Sequence, residues 1–213
     1  MTSYSRNRTI DVHSEDPIAA FCYAPIYSTQ DLLRLCVLRA SDKLPILEFG
    51  TGAGHSTRII DATRLHSQKF YSFDSFEGLP EDWTMGLNMV WPKGSFSQYG
   101  KPPEIPGVVF MKGRFEESIP RYLKLNESPI GFLSIDCDLY SSCKTIFNLL
   151  DDLIVTGTII YFDEICDWGK ANDRYPMWPE GEYKAFCEWI RKGNLAEVIG
   201  RNDRYGAAVK VTC

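Results

Sequence analysis

The stretch Pro45-Ile-Leu-Glu-Phe-Gly-Thr-Gly-Ala-Gly-His55 decides the fold of this chain. Its beginning is mostly apolar and is followed at once by glycines, which predicts a buried strand that ends in a tight turn. Residues 57–65 predict a helix directly after that turn. Glycines allow a backbone to pass close to a ligand, and the free N–H groups at a helix start favour polar or anionic groups. The stretch therefore predicts an α/β sheet with a ligand site at the end of its first strand.

Strands and helices alternate along the rest of the chain, which predicts a mostly parallel sheet with helices on both faces. The last two strands are joined by the polar turn Gly200–Arg204 and predict a C-terminal antiparallel hairpin. We predict one α/β domain over residues 44–213, preceded by an N-terminal arm and helix over residues 1–43, of which residues 1–27 are irregular. We expect this N-terminal part to form part of a substrate lid or to pack on the domain. The predicted strands are 45–49, 69–73, 108–111, 130–135, 158–162, 196–199 and 207–211, and the predicted helices are 30–40, 57–65, 116–125, 139–153 and 180–192.

Composition and charge exclude several classes of protein. With 213 residues, 44% of them hydrophobic, and a net charge of −5, the chain is expected to be globular and to repel the phosphate backbone of nucleic acids. The seven cysteines are scattered and none has CxxC spacing, so we expect a cytoplasmic protein with neither a disulfide framework nor a zinc site. The start of the chain is polar and no long apolar run follows it, which predicts neither a signal peptide nor a membrane span.

Residues 75–107 form the longest segment without a helix or strand pattern. The segment is rich in proline and glycine and contains Trp83 and Trp91. A connection of this length inside a compact domain is usually a lid or a binding loop. We therefore predict a lid or a binding loop here.

One acidic residue follows the second strand at a spacing that suits a nucleotide-like ligand. Asp74 lies twenty residues after Gly54, where a carboxylate can accept hydrogen bonds from ribose hydroxyls. The alternative interpretation is a turn residue or a helix cap. The fingerprint of NAD-binding proteins has a third glycine where this chain has His55, so NAD is disfavoured.

Four carboxylates follow the fourth and fifth strands. Asp136 and Asp138 should face one cleft, with Cys137 facing the core, because residues i and i+2 of an extended chain point to the same side. Asp163 and Glu164 should join them if the two strands are neighbours. Repulsion among such groups is relieved by protonation, by a basic partner or by a hard cation such as Mg²⁺, Mn²⁺ or Ca²⁺. The alternatives are a helix cap at Asp138 and an exposed acidic turn at residues 163–164.

Taken together, these motifs resemble those of class I S-adenosylmethionine-dependent methyltransferases, which have a Rossmann-like fold. Ile46-Leu-Glu-Phe-Gly-Thr-Gly-Ala-Gly54 is similar to the first motif of that class. Phe73-Asp-Ser-Phe-Glu-Gly-Leu-Pro80, Ile135-Asp-Cys-Asp-Leu-Tyr140 and Tyr161-Phe-Asp-Glu164 resemble motifs of the macrocin- and aminocoumarin-type sugar O-methyltransferases. The segment Gly181-Glu-Tyr-Lys-Ala-Phe186 is similar to a helix motif in small bacterial proteins of this type.

The resemblance implies a role for each matching residue. It implies that Asp136, Asp163 and Glu164 hold Mg²⁺ or Mn²⁺ and that Asp138 is the general base. The residues that it implies for binding S-adenosylmethionine are Glu48, Gly50, Thr51, Gly52, Gly54, Asp74, Ser75, Phe115 and Asp136.

The implied activity is metal-dependent transfer of a methyl group to a hydroxyl of a small molecule such as a sugar or a phenol. We expect no nucleic-acid or membrane partner, and self-association into a homo-oligomer is left open. Two other functions are considered. A nucleotide- or NAD-binding oxidoreductase is disfavoured by His55, and a non-catalytic scaffold that binds S-adenosylmethionine has no need of the carboxylates.

Overall fold

An eight-stranded sheet organises the chain in the computed structural model, which describes residues 9–11, 13, 14, 16–169 and 174–212. Residues 1–8 of the predicted arm lie outside the described part. The sheet has the order β1-β9-β10-β8-β7-β2-β3-β6, and β4 and β5 form a separate hairpin. The strands are β1 (Thr9–Ile10), β2 (Ile46–Phe49), β3 (Phe70–Asp74), β4 (Trp83–Gly86), β5 (Met89–Trp91), β6 (Val109–Lys112), β7 (Phe132–Ile135), β8 (Ile159–Phe162), β9 (Ala196–Arg201) and β10 (Ala207–Val211).

The pairing confirms the predicted sheet. Strands β6, β3, β2, β7 and β8 are parallel, and β10 and β9 follow as an antiparallel hairpin. The register puts Phe49 of β2 level with Phe73 of β3 and Ile135 of β7, so these three strands end together. Because the carboxyl ends of parallel strands meet at one edge, the residues that follow them share one rim of the molecule.

Helices cover both faces of the sheet, as predicted. On one face, α1, α4, α5 and α6 pack in the larger hydrophobic core, and on the other face α2 and α3 pack in a second core. The helices are α1 (Ile18–Cys22), α2 (Thr29–Arg39), α3 (His55–Thr63), α4 (Phe115–Leu123), α5 (Tyr140–Leu150) and α6 (Glu182–Ile190). No helix within the described ranges is both long and apolar enough to cross a membrane.

The N-terminal segment is more ordered than the sequence predicts. Thr9 and Ile10 pair with β9 and add an edge strand to the sheet, and Phe21 of α1 is fully buried against Phe186. Both elements are too short to produce a periodic pattern, so their position depends on tertiary packing that the sequence does not reveal. The next helix begins where expected, because the Ser28 hydroxyl accepts a hydrogen bond from the N–H of Asp31 at 3.1 Å.

The turn after β2 passes against the end of β7. Gly50 has a φ of +92°, and a Cβ at this residue would lie 1.6 Å from the backbone oxygen of Asp136. Only glycine satisfies both the left-handed conformation and this close approach. The glycine-rich turn and the first acidic residue after β7 are therefore held side by side by the backbone itself.

Gly50→Ala is expected to destabilise the fold by more than about 3 kcal/mol, because the backbone has to move to admit the methyl group. Gly52→Ala is the matched control. Its φ is +50°, but a Cβ there would meet nothing within 4 Å, so only the conformational cost of about 1–2 kcal/mol is expected. Urea unfolding of both variants gives the comparison. Equal losses of stability would contradict the close approach.

Candidate active site

A large cavity lies at the carboxyl edge of the parallel strands. Its volume is about 960 Å³. The turns after β2, β3, β7 and β8 form its floor, and residues of the long segment 75–107, including Trp83 and Phe96, form part of its wall. The long segment thus lines the site, as its length predicts.

Asp74 joins the end of β3 to the glycine-rich turn. Its Oδ2 accepts hydrogen bonds from the N–H groups of Thr51 at 3.0 Å and Gly52 at 2.8 Å, and its Oδ1 accepts one from the N–H of Phe76 at 2.7 Å. Asp74, Ser75 and both turn residues line the cavity. The structure therefore brings the turn and the acid together at one place, and this carboxylate organises the turn that it faces.

Glu48 is fully buried beneath the turn and does not line the cavity. Its Oε1 accepts a hydrogen bond from the Ser56 hydroxyl at 2.7 Å, and its Oε2 accepts from the hydroxyls of Thr57 at 2.7 Å and Ser72 at 2.6 Å. This differs from the direct cofactor contact that the resemblance implies. The carboxylate instead fastens the first turn of α3 to β3, so Glu48 positions the glycine-rich turn from behind.

Two other residues implied for the cofactor have different placements. Gly54 does not line the cavity; it is the N-cap of α3 with a φ of +80°, a conformation that glycine adopts without strain. Phe115, the first residue of α4, lines the cavity and packs edge-to-face on Phe49 with 5.1 Å between ring centroids. Gly54 therefore shapes the turn, whereas Phe115 offers an aromatic surface to a ligand.

Three carboxylates after β7 and β8 form a tight group. Ligand atoms of Asp136, Asp138 and Glu164 all lie within 4.8 Å of one another. The expected extended chain is wrong here, because Asp138 has a φ of +63° and turns its side chain towards the other two. The capping alternative is also wrong, since Leu139 is the N-cap of α5 and no side chain caps that helix.

The sheet hydrogen bonds extend one residue beyond the strands and fix two of these acids. The N–H of Asp136 donates to the carbonyl of Phe49, and the N–H of Asp163 donates to the carbonyl of Ile135, both at 2.9 Å. Asp163 lines the cavity but lies outside the tight group, and its Oδ1 accepts a hydrogen bond from the Tyr161 hydroxyl at 2.5 Å. The alternative of an exposed acidic turn is therefore wrong, because both acidic residues of that turn face the cavity and Glu164 is buried.

The electrostatics of the group are unfavourable to three ionised carboxylates. Burial first, and then the charge of Asp163, raises the pKa of Asp138 to about 7. Burial and the same neighbour raise the pKa of Asp136 and of Glu164 well above their ordinary values. The Oε2 atom of Glu164 is buried and has no hydrogen-bond partner within the part of the chain that the structure describes. Hard cations prefer oxygen ligands of this kind, so the donor set fits Mg²⁺ or Mn²⁺ and does not suit zinc.

Glu182 is a fifth acidic residue at this edge, and the sequence prediction did not include it. It is the first residue of α6, and its side chain is fully buried. Burial raises the pKa of Glu182 to about 8. The signal available in the sequence was the segment at 181–186, where a glutamate opens an otherwise apolar helix face.

These features define the class of protein. A parallel sheet of this order, with a glycine-rich turn after its first parallel strand and an acid at the end of the next, is the class I methyltransferase fold. The profile of a methyltransferase-domain family matches residues 47–165, and the chain belongs to that family. The resemblance found in the motifs is thereby confirmed. No curated protein matches the chain.

Solved structures of methyltransferases share this fold. The calicheamicin methyltransferase CalS11 is 22% identical, with a TM-score of 0.61 over 85% of this chain and 77% of that protein. The O-methyltransferase NovP is 19% identical, with a TM-score of 0.57 over 86% and 79% of the two chains. An O-methyltransferase from Bacillus cereus, solved in complex with SAH, is 16% identical, with a TM-score of 0.52 over 92% and 86%.

Replacing Glu48 by glutamine is expected to change how stability depends on pH. The pKa of Glu48 is raised by burial from 4.5 to about 7 in the folded state, so folding disfavours its ionised form. The contribution of the Glu48 carboxyl group to the unfolding free energy of the wild type is fully present below pH 4.5. It is lost as the pH rises through 7. Glutamine has no such loss. Between pH 5 and pH 8 the unfolding free energy of Glu48→Gln should therefore gain roughly 2–3 kcal/mol relative to wild type.

Urea unfolding of both proteins at the two pH values measures this difference, and groups common to both proteins cancel. A difference that does not change with pH, or that changes in favour of the wild type as the pH rises, would contradict the buried position of the carboxyl group.

Proposed function

We propose that this protein transfers a methyl group from S-adenosylmethionine to a hydroxyl of a small molecule and that a divalent cation is required. One observation carries the proposal: the turn held by Asp74 and the carboxylate group formed by Asp136, Asp138 and Glu164 open into the same cavity. The first is suited to a ribose and a sulfonium amino acid, and the second to a hard cation beside an alcohol. Membership of the family supports methyl transfer as the reaction, and the carboxylate group supports an oxygen atom as the methyl acceptor.

The cofactor half of the cavity lies around the glycine-rich turn. We assign Gly50, Thr51 and Gly52 to the methionine and ribose part of the cofactor. Asp74 is assigned to the ribose hydroxyls, with Ser75 beside it. Both Asp74 and Phe115 line the cavity. A Bacillus cereus neighbour was solved with SAH and the neighbour TomG from Streptomyces achromogenes with SAM, which supports the choice of cofactor.

The cation half lies at the ends of β7 and β8. We assign Asp136, Asp163 and Glu164 as its ligands. The Oε2 of Glu164, which has no hydrogen-bond partner among the described residues, supports this choice because a buried carboxylate oxygen without a donor is costly. A divalent cation held there would act as a Lewis acid that lowers the pKa of the acceptor hydroxyl and orients its oxygen. Mg²⁺ and Mn²⁺ both suit the ligand set.

Asp138 is assigned as the general base. Within the described ranges its carboxylate accepts no hydrogen bond. Its backbone is left-handed, and the residue lines the cavity. The acceptor hydroxyl gives its proton to Asp138, its oxygen forms a bond to the methyl carbon, and the carbon–sulfur bond breaks with its electron pair left on sulfur. A positioned base contributes about 10²–10⁴-fold, and alignment of the two reactants contributes more.

The acceptor is proposed to be a sugar or a phenol-like compound of natural-product type. Trp83 and Phe96 give the outer cavity the aromatic wall that suits a ring, and the neighbour CalS11 is described as a TDP-rhamnose 3'-O-methyltransferase.

The six cysteines in the described part are all free, which supports a location in the reducing cytoplasm. A non-catalytic scaffold is the remaining alternative, and methyl transfer itself separates the two.

Asp74→Ala is expected to weaken binding of S-adenosylhomocysteine by about 1.5–3 kcal/mol, because the turn loses its acceptor and the ribose loses a charged partner. Titration calorimetry measures the change. Asp42→Ala, at an exposed turn, is the control. An unchanged dissociation constant in a folded Asp74→Ala protein would remove this residue from the cofactor site.

The roles of Asp138 and Asp163 are separated by their effects on cation affinity. Asp163→Asn is expected to lower the affinity for Mn²⁺ by about tenfold or more, and Asp138→Asn to leave it near the wild-type value. Asp138→Asn should instead lower kcat by roughly two to four decades with an acceptor found by screening with labelled cofactor. Mn²⁺ binding followed by electron paramagnetic resonance and the initial rate give the two readouts. The reverse pattern in Mn²⁺ affinity would make Asp138 a ligand, in line with its place in the tight group.

A further inference from the structure

Glu182 is a buried carboxyl group to which the proposed reaction assigns no role. It opens α6, its side chain is fully buried, and no ion pair reaches it from the residues that the structure describes. Burying a carboxyl group costs free energy unless hydrogen bonds compensate. The rest of the buried face of α6 is mostly apolar, with Phe186, Trp189 and Ile190 in the hydrophobic core. An apolar residue would fill this position at lower cost if packing were its only task.

The hydrogen bonds of Glu182 connect the two acidic turns. Its Oε1 accepts from the N–H of Cys137 at 3.1 Å and lies 3.6 Å from the Sγ of the same residue. Its Oε2 accepts from the N–H of Glu164 at 3.4 Å. Cys137 lies between Asp136 and Asp138, so one carboxyl group holds the backbone of both turns.

These N–H groups are the first ones beyond the regular sheet bonds. The N–H groups of Asp136 and Asp163 still donate to neighbouring strands, but those of the following residues donate to Glu182 instead. The carboxyl group therefore continues the fixed spacing of β7 and β8 into the turns, where the sheet no longer imposes it.

We propose that Glu182 is a positioning residue for the cation site, acting by fixing the distance between the turn at 136–138 and the turn at 163–164. This rests on the proposed function. Such supporting partners of ligands typically change metal affinity by about 10–100-fold when they are removed. Glu182 itself contacts neither substrate nor cofactor in this assignment.

The test compares Glu182→Leu and Glu182→Gln with Glu180→Gln. Glu180 is exposed, lies two residues earlier and forms an ion pair with Lys184, so its variant controls for the loss of one carboxylate near the start of α6. Three quantities are measured: Mn²⁺ affinity by electron paramagnetic resonance, S-adenosylhomocysteine affinity by calorimetry, and hydrogen exchange of the amides of Cys137 and Glu164.

For Glu182→Leu we expect Mn²⁺ affinity to fall by about tenfold or more and both amides to exchange faster, with S-adenosylhomocysteine affinity nearly unchanged. Glu182→Gln should show a smaller loss, because its one carbonyl oxygen can accept only one of the two N–H bonds with full geometry. It also serves as the test if the leucine variant does not fold. The control variant should match wild type in all three measurements.

Three results would overturn the proposal. They are unchanged Mn²⁺ affinity in a folded Glu182→Gln protein, a parallel loss of S-adenosylhomocysteine and Mn²⁺ binding, and unchanged exchange at both amides. If wild type binds no Mn²⁺, the cation site of the proposed function is wrong. In that case the role of Glu182 in positioning a cation site is wrong with it, and the exchange rates report only whether it connects the turns.

Discussion

Repulsion among crowded carboxyl groups is the constraint on which this site depends. Asp136, Asp138, Asp163, Glu164 and Glu182 meet at the ends of two neighbouring strands, and no ion pair to a basic side chain reaches any of them within the described ranges. Burial and mutual charge raise the pKa of the members of the tight group. Such an arrangement lowers stability unless a member is protonated or the group binds a cation, and crowding of this kind is typical of functional sites.

The sheet supplies the rigidity that this arrangement requires. Its ladder of hydrogen bonds continues through the first residue after β2, β7 and β8, and Gly50 brings the glycine-rich turn into contact with the backbone of Asp136. Glu48 and Asp74 then fix that turn from behind and from the cavity side. The sites proposed for the methyl donor and the acceptor are thereby positioned by the backbone. Alignment of the two reactants is expected to supply the larger part of the rate of methyl transfer.

The sequence predicted those features that follow from local pattern. The expected features lie at the expected edge of the sheet. They are the strand and turn at 45–54, the acid at 74 and the acids after β7 and β8, which are the fourth and fifth predicted strands. Other features depend on contacts far apart in the chain. Glu48 accepts hydrogen bonds from hydroxyls of other elements, and Glu182 accepts one from Cys137, so both contacts connect segments that no local pattern relates. The left-handed conformation of Asp138 also has no signal in the local pattern. The edge strand at Thr9 and Ile10 was missed for the same reason.

The carboxylate group beside the glycine-rich turn is proposed to be a divalent cation site. Anomalous X-ray scattering from crystals grown with Mn²⁺ and S-adenosylhomocysteine tests it most directly. We expect one strong manganese peak bounded by Asp136 and Glu164, with the cofactor bound at the glycine-rich turn within the same cavity. Full occupancy of the cofactor with no manganese peak at these carboxylates, or a peak only elsewhere on the molecule, would contradict it.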